Sequence, residues 1–239
     1  MNWKRHTECA KHVLLTQGTV VERRIRKDVS GESINAPNCF VLPCANKESP
    51  RDSIYIGGAP GCGKSFWIST YVGNYITKYP RNKIFLVSSK EHDKLLDEKY
   101  AGKIERIPVS HIDENELTLP SDCLIIFDDV DAYEKEQKKN VFALYNKQLK
   151  NERSRNISCI LSNHNITDYT ATRDSLNNSS LFVIFPKSGS RYSLDRMLKC
   201  YVGLTPQQIK RIYKVDSRWV CVRKHTPCAV IHEKGAFLI

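Results

Sequence analysis

The sequence predicts an α/β fold: a mainly parallel central sheet flanked by helices on both faces, with a C-terminal β-hairpin. Three observations predict it. From Ser53 onward, short apolar runs alternate with polar, helix-patterned stretches, and such alternation implies a parallel sheet covered on both sides. A glycine-rich turn, Gly58-Ala59-Pro60-Gly61-Cys62-Gly63-Lys64-Ser65, stands between the first apolar run and the first helical stretch. Near the C-terminus the rhythm changes, and Trp219-Val220-Cys221-Val222 and Ala229-Val230-Ile231 read as two strands of a hairpin.

Residues 1–50 read as an N-terminal arm or small sheet extension. Val13-Leu14-Leu15 and Val20-Val21 suit short strands, Arg23 to Lys27 is a basic cluster, and Pro37, Pro43 and Pro50 punctuate the rest of the segment. The main domain, 51–239, opens with the strand Ser53 to Gly57. A helix over Lys64 to Tyr79 is stopped by Pro80. Lys83 to Ser88 is a second strand, and the polar stretch Lys90 to Tyr100 is expected to be helical. Cys123-Leu124-Ile125-Ile126-Phe127 is uninterrupted and apolar, as in a strand covered on both faces. Asp131 to Lys150 is a long charged helix with Val141, Leu144, Tyr145 and Leu149 as its inner stripe. Ile157 to Leu161 and Leu181 to Phe185 are two more buried strands. Thr205 caps a helix whose first residue is Pro206, with apolar positions at Ile209, Ile212 and Tyr213.

Gly58-x4-Gly63-Lys64-Ser65 matches the P-loop pattern in full, and its context fits: it follows a strand and opens a helix. Glycines let backbone N–H groups turn inward around phosphate oxygens, and the helix N-terminus adds partial positive charge. The sequence therefore reads as a P-loop NTPase whose residues Gly58 to Phe66 (Gly58, Ala59, Pro60, Gly61, Cys62, Gly63, Lys64, Ser65, Phe66) hold Mg-ATP. Lys64 reaches the β- and γ-phosphates, and the Ser65 hydroxyl ligates Mg²⁺. The metal needs a carboxylate at the same sheet edge. Leu124-Ile125-Ile126-Phe127-Asp128-Asp129 supplies one. Asp128 is expected on the metal side and Asp129 is the candidate for polarising the attacking water, although either acid could instead cap the following helix; Asp131 is the more natural cap. Lys64 and Asp128 are 64 residues apart with a strand between them, a spacing common to motor-type ATPases.

Bulk properties narrow the partners. The chain has 239 residues and 41% hydrophobic content, and no stretch approaches the roughly 18–20 apolar residues of a membrane span. No secretory signal follows Met1, so a cytosol-like compartment is expected. The nine cysteines include no CxxC pair. They read as free thiols of a reducing compartment, with a zinc site around Cys39 and Cys44 as the sharper alternative. Net charge is +11, and 186–234 carries eleven Lys or Arg against three Asp or Glu. Clustered positive charge is the footprint of a polyanion partner or of a solvated basic face.

The combination resembles the viral genome-packaging ATPases of the FtsK–HerA superfamily, found in nucleocytoplasmic large DNA viruses, poxviruses and virophages. The resemblance covers about residues 50 to 200. It rests on Gly57 to Ser65, on Ile125-Ile126-Phe127-Asp128-Asp129, on the helix running into Arg153-Ser154-Arg155-Asn156-Ile157-Ser158 and the strand ending in Ser162-Asn163-His164, and on Thr172-Arg173-Asp174-Ser175-Leu176-Asn177-Asn178. It implies that Arg153, with Arg155 as the fallback, is an arginine finger inserted into a neighbouring subunit's site, and that Asn163 or His164 is the polar sensor. It further implies a homo-oligomeric ring, a hexamer, around double-stranded DNA, a capsid vertex protein as partner, and a place in the virion or the viral factory of the host cytoplasm. Lys187, Arg191 and Lys199 are candidate phosphate contacts within the basic region. A nucleotide or nucleoside kinase would share the loop and the acid but leaves the basic tail unexplained. A GTPase switch lacks its guanine-reading motif, since Asn146-Lys147-Gln148-Leu149 has no acid.

Overall fold

The computed structural model describes residues 26–27, 33–35, 41–45, 51–112, 117–150, 153–166, 172–224 and 228–239. The strands expected at 13–15 and 20–21, Cys39 and most of the Arg23 cluster lie outside them. The elements run β1 (Arg26–Lys27), β2 (Ser33–Asn35), β3 (Ser53–Gly57), α1 (Lys64–Lys78), β4 (Ile84–Ser88), β5 (Ile104–Pro108), β6 (Leu124–Phe127), α2 (Lys135–Lys150), β7 (Ser158–Asn163), α3 (Arg173–Asn178), β8 (Leu181–Ile184), α4 (Arg191–Met197), α5 (Pro206–Tyr213), β9 (Val220–Arg223), β10 (Ala229–His232) and β11 (Gly235–Leu238).

All the described strands join one sheet in the order β1-β2-β11-β10-β9-β8-β3-β7-β6-β4-β5. The six strands from β8 to β5 are mutually parallel. From β9 outward the pairing is antiparallel. The tail hairpin is present as β9 and β10, and β11 extends it to a three-stranded meander. The strand after the loop strand in sequence, β4, is not its spatial neighbour: β7 and β6 lie between them. This places the ends of β3, β7 and β6 side by side.

Alternation along these strands splits the core in two, because successive side chains point to opposite faces. Tyr55, Ile125, Phe127, Cys159 and Leu161 face α2, whose Val141, Leu144, Tyr145 and Leu149 are buried against them. Ile54, Ile56, Leu124, Ile126 and Ile160 face α1. There Trp67, Tyr71 and Tyr75 stack at i, i+4 spacing, with ring centroids 5.6 and 6.3 Å apart, and the Tyr71 hydroxyl donates to Asp52 at 2.7 Å. Cys123, Cys159 and Cys221 are buried free thiols, and burial pushes each up to about 12. Among the described residues no group of three or more His, Cys, Asp or Glu is placed to hold a metal ion.

Three expectations need correction. The stretch 90–100 is not a long helix. Only Lys94–Glu98 makes one wide helical turn, because Asp93 caps the Leu95 and Leu96 N–H groups and Arg106 holds Asp97 through two hydrogen bonds. The long charged helix begins at Lys135 rather than 131, after a tight turn over Val130–Ala132. Asp131 does not cap it: its carboxylate accepts the backbone N–H groups of His164 and Asn165. At α5 the expected Thr205 cap is present, as a full capping box with Gln208.

Candidate nucleotide site

The phosphate loop leaves β3 at Gly57 and enters α1 at Lys64, over the C-terminal edge of the parallel strands. Two of its glycines have left-handed backbones, Gly61 at φ 75° and Gly63 at φ 115°, which L side chains adopt only at a cost. Gly58 is needed for a different reason. A Cβ there would lie 2.6 Å from Cys62 Sγ and 2.8 Å from Phe185 Cδ2. The loop is pinned to the next strand by the Gly58 N–H donating to the Asn163 carbonyl at 3.2 Å. Phe66, just inside the helix, is 60% exposed.

Lys64 is 5% exposed and does not project freely. Its ammonium donates to the Gly58 carbonyl at 2.9 Å, lies 2.7 Å from His164 Nδ1 and sits 3.6 Å from Asp129 Oδ1. An ammonium can only donate, so Nδ1 accepts and the His164 proton belongs on Nε2. That nitrogen faces Asp129 Oδ1 at 3.5 Å.

The acids follow β6, whose four residues are all buried. Asp128 is 2% exposed. Asp129 has a left-handed backbone, φ 50°, which turns the chain so that both carboxylates face the same space. Their shared partners are Ser162 and Lys90. The Ser162 hydroxyl lies 3.2 Å from Asp128 Oδ1 and 3.3 Å from Asp129 Oδ1, and accepts the Asp129 N–H. Lys90 Nζ lies 3.4 Å from Asp128 Oδ2 and 3.0 Å from Asp129 Oδ2. Burial first, then repulsion from Asp129, pushes the Asp128 carboxyl up. Burial works upward on Asp129 as well, but Lys90 and Lys64 outweigh it and hold it below the usual carboxylate range. Lys90 is drawn down by burial and more strongly up by the two acids, so its net shift is upward.

Sequence reasoning did not single out Lys90 or Ser162. Lys90 belongs to no motif and comes to the site because β4 lies beside β6. Ser162 stood in the quoted strand end, and the register that pairs Phe127 with Leu161 sets it beside Asp128. Of the two sensor candidates, His164 touches the loop lysine. Asn163 is turned inward: its Nδ2 donates to Tyr55 Oη at 2.9 Å, and its Oδ1 has no partner among the described residues.

Arg153 begins a tight turn, Arg153–Arg155, before β7. It therefore lies at the N-terminal end of that strand, whereas the phosphate loop lies at the C-terminal end of its neighbour. Six residues of strand span about 20 Å, and that length separates the position of Arg153 from the loop's end of the sheet. Arg155 is occupied within the chain by a bond to the Leu119 carbonyl. Of the candidate basic contacts, Lys187 pairs with Asp216 at 2.8 Å and the Arg191 guanidinium lies 4.4 Å from the centre of the Tyr213 ring. Arg191, Arg196, Lys199 and Lys210 line an open groove of about 620 Å³ between α4 and α5.

The donor chemistry suits a magnesium nucleotide. The Ser65 hydroxyl and the buried Asp128 carboxylate are hard oxygen donors, too few to cage a metal alone, as expected when phosphates and water complete the shell. Fold, loop and paired acids together define a P-loop NTPase. The chain matches no family model. It is 35% identical over 219 residues, 87% of each chain, to the uncharacterized protein V3 of Sputnik virophage. Among solved structures it is similar in fold to the genome packaging NTPase B204 from Sulfolobus turreted icosahedral virus 2 in complex with AMPPCP, with TM-score 0.52 and 15% identity over 78% of this chain and 99% of that one. The conjugation coupling protein TcpA of pCW3 with ATPgS gives 0.51 and 12% over 79% and 61%. The cytoplasmic domain of the Thermomonospora curvata Type VII secretion ATPase EccC gives 0.52 and 14%, this chain spanning 25% of that one. The chain belongs to the same family as protein V3 of Sputnik virophage, and it shares its fold with the packaging and coupling ATPases just named.

Proposed function

We propose that the chain is an ATP-driven double-stranded DNA translocase that packages a viral genome into its capsid. The observation that carries this reading is the meeting of buried Lys64 with the Asp128–Asp129 pair at one sheet edge, 3.6 Å apart at closest, on a fold shared with a genome packaging NTPase. B204 in complex with AMPPCP and TcpA with ATPgS, both similar in fold, support a nucleotide as the ligand.

In this reading the loop N–H groups and Lys64 hold the phosphates of ATP. The Ser65 hydroxyl and the Asp128 carboxylate hold Mg²⁺, which when bound neutralises phosphate charge. Asp129, kept ionised by Lys64 and Lys90, orients the attacking water and draws off its proton. His164 touches both Lys64 and Asp129, so it is placed to sense whether the γ-phosphate is present. Arg153 enters the site of a neighbouring subunit, because its own is out of reach. Hydrolysis then depends on a homo-oligomeric ring, a hexamer, and an arginine finger contributes about 10³–10⁵ in rate. The basic residues of 186–234, including the groove between α4 and α5, hold backbone phosphates of any DNA sequence. A capsid vertex protein is the expected anchor, in the virion or the viral factory.

The test is ATP turnover with and without double-stranded DNA across a salt series. Turnover is expected to rise with DNA and to lose that stimulation as salt increases. Absence of stimulation at every salt concentration, with phosphoryl transfer to a nucleoside or nucleotide, refutes the reading.

A further inference from the structure

The segment joining α5 to β9 is fixed against the helix that the phosphate loop opens. The Ser217 hydroxyl accepts the Glu233 N–H and lies within donating distance of the Trp219 carbonyl, 2.6 Å, and of Glu233 Oε2, 3.0 Å. The Arg218 N–H donates to Glu233 Oε2 at 2.8 Å. Trp219 packs edge-on against Trp67 of α1, centroids 6.2 Å apart. The Arg218 side chain projects from this anchored turn toward the loop. Its Nη2 lies 3.6 Å from the point that a Cβ on Gly63 would occupy, with the Phe185 ring at the same distance.

The Arg218 guanidinium has no acceptor among the described residues, unlike those of Arg51, Arg106, Arg155 and Arg211. The adjacent acid is taken, since Asp216 pairs with both Lys187 and Lys234. A forked cation without a counter-ion is thus held beside a loop whose N–H groups are arranged for an anion.

Sheet order gives it a side. Asp128, Asp129, Ser162 and His164 approach the loop from β6 and β7, on one flank of β3. Arg218 approaches from β9 and β8, on the other. The γ-phosphate belongs on the flank of the acids. We propose that Arg218 binds the α- and β-phosphates of the nucleotide from the opposite flank, and so holds diphosphate and triphosphate alike. This rests on the reading of the loop as an ATP site.

The experiment is titration of fluorescent ADP and of a non-hydrolysable ATP analogue, both with Mg²⁺, into wild-type protein, Arg218→Ala, Arg218→Lys and Lys64→Ala. Melting temperatures are recorded without nucleotide. Arg218→Ala is expected to bind both ligands about tenfold more weakly, the lower end for a charge-assisted hydrogen bond at an exposed site. Arg218→Lys is expected to recover part of the loss, and the melting temperature to stay unchanged. Wild-type binding by Arg218→Ala beside lost binding by Lys64→Ala overturns the assignment, as does weakening confined to the ATP analogue. A lowered melting temperature with no recovery in Arg218→Lys also overturns it, as a packing effect. Unimpaired binding by Lys64→Ala removes the phosphate-loop reading itself, and this proposal with it.

Discussion

Gly58→Ala isolates the contribution of close packing to the phosphate loop. Gly58 has no left-handed backbone, so strain is not the issue. Space is: the new methyl would meet Cys62 Sγ at 2.6 Å and Phe185 Cδ2 at 2.8 Å, against an ordinary contact of 3.4 Å or more. Something must move by nearly 1 Å. Cys62 can rotate its short side chain, but Phe185 is buried between the loop and the core under α1, so the loop backbone gives instead. Overpacking of this kind costs about 1–3 kcal/mol. At roughly 2–4 °C per kcal/mol for a chain of this size, the melting temperature falls by about 2–12 °C. A displacement near 1 Å at a site built on geometry costs about two orders of magnitude in function, and nucleotide affinity is expected to fall accordingly. Gly58→Ala with Cys62→Ala removes one of the two clashes and recovers part of both losses. Gly61→Ala is the control: its Cβ meets nothing within 4 Å, so only the left-handed backbone is strained, at about 1–2 kcal/mol. Differential scanning fluorimetry and nucleotide titration read both quantities. If Gly58→Ala melts and binds like the wild type, the packing argument is wrong.

Lys90→Met removes the cation shared by Asp128 and Asp129. Breaking a fully buried pair costs about 3–5 kcal/mol, and since Lys90 is 44% exposed, about 1–2 kcal/mol is expected, read as a melting temperature lowered by roughly 2–8 °C; an unchanged melting temperature would show that the pairs contribute nothing. Mixing Arg153→Ala subunits, each with an intact phosphate loop, with Lys64→Ala subunits, each with an intact finger, is expected to restore part of the turnover that neither has alone. Mixtures as inactive as their components would remove Arg153 from the mechanism. Burial pushes the Cys62 thiol up, and the thiolate is the reactive form. Alkylation at pH 8, followed residue by residue by mass spectrometry, is therefore expected to be slower at Cys62 than at exposed Cys200 and slower still with nucleotide bound. Equal rates would contradict the burial.

The parallel half of the sheet was legible because its strands are runs of apolar residues, which a sheet covered on both faces demands. The edges were not. Ile104-Glu105-Arg106-Ile107-Pro108 carries charges suited to an exposed edge, so β5 resembles a loop when read alone. Gly235-Ala236-Phe237-Leu238 is short and starts with glycine, and becomes a strand by pairing with β10 and β2. The stretch at 90–100 looked helical by composition, but its polar side chains found tertiary partners, above all Arg106 with Asp97.

The sequence alone determined the phosphate loop and the acid pair, because each is a contiguous string whose chemistry is local: glycines for the turn, a lysine and hydroxyl at a helix start, carboxylates at a strand end. It also determined the net charge of +11 and its concentration in 186–234, since charge needs no fold to be counted. Tertiary structure decided which residues complete the site. Ser162 and Lys90 reach the acids only through strand register and order. His164 rather than Asn163 meets Lys64 because adjacent residues at a strand end face opposite ways. Arg218 stands beside Gly63, 155 positions earlier, because β9 packs next to β8 and Trp219 seats on Trp67. Such placements depend on pairings between distant segments, and no local pattern of residue types records them.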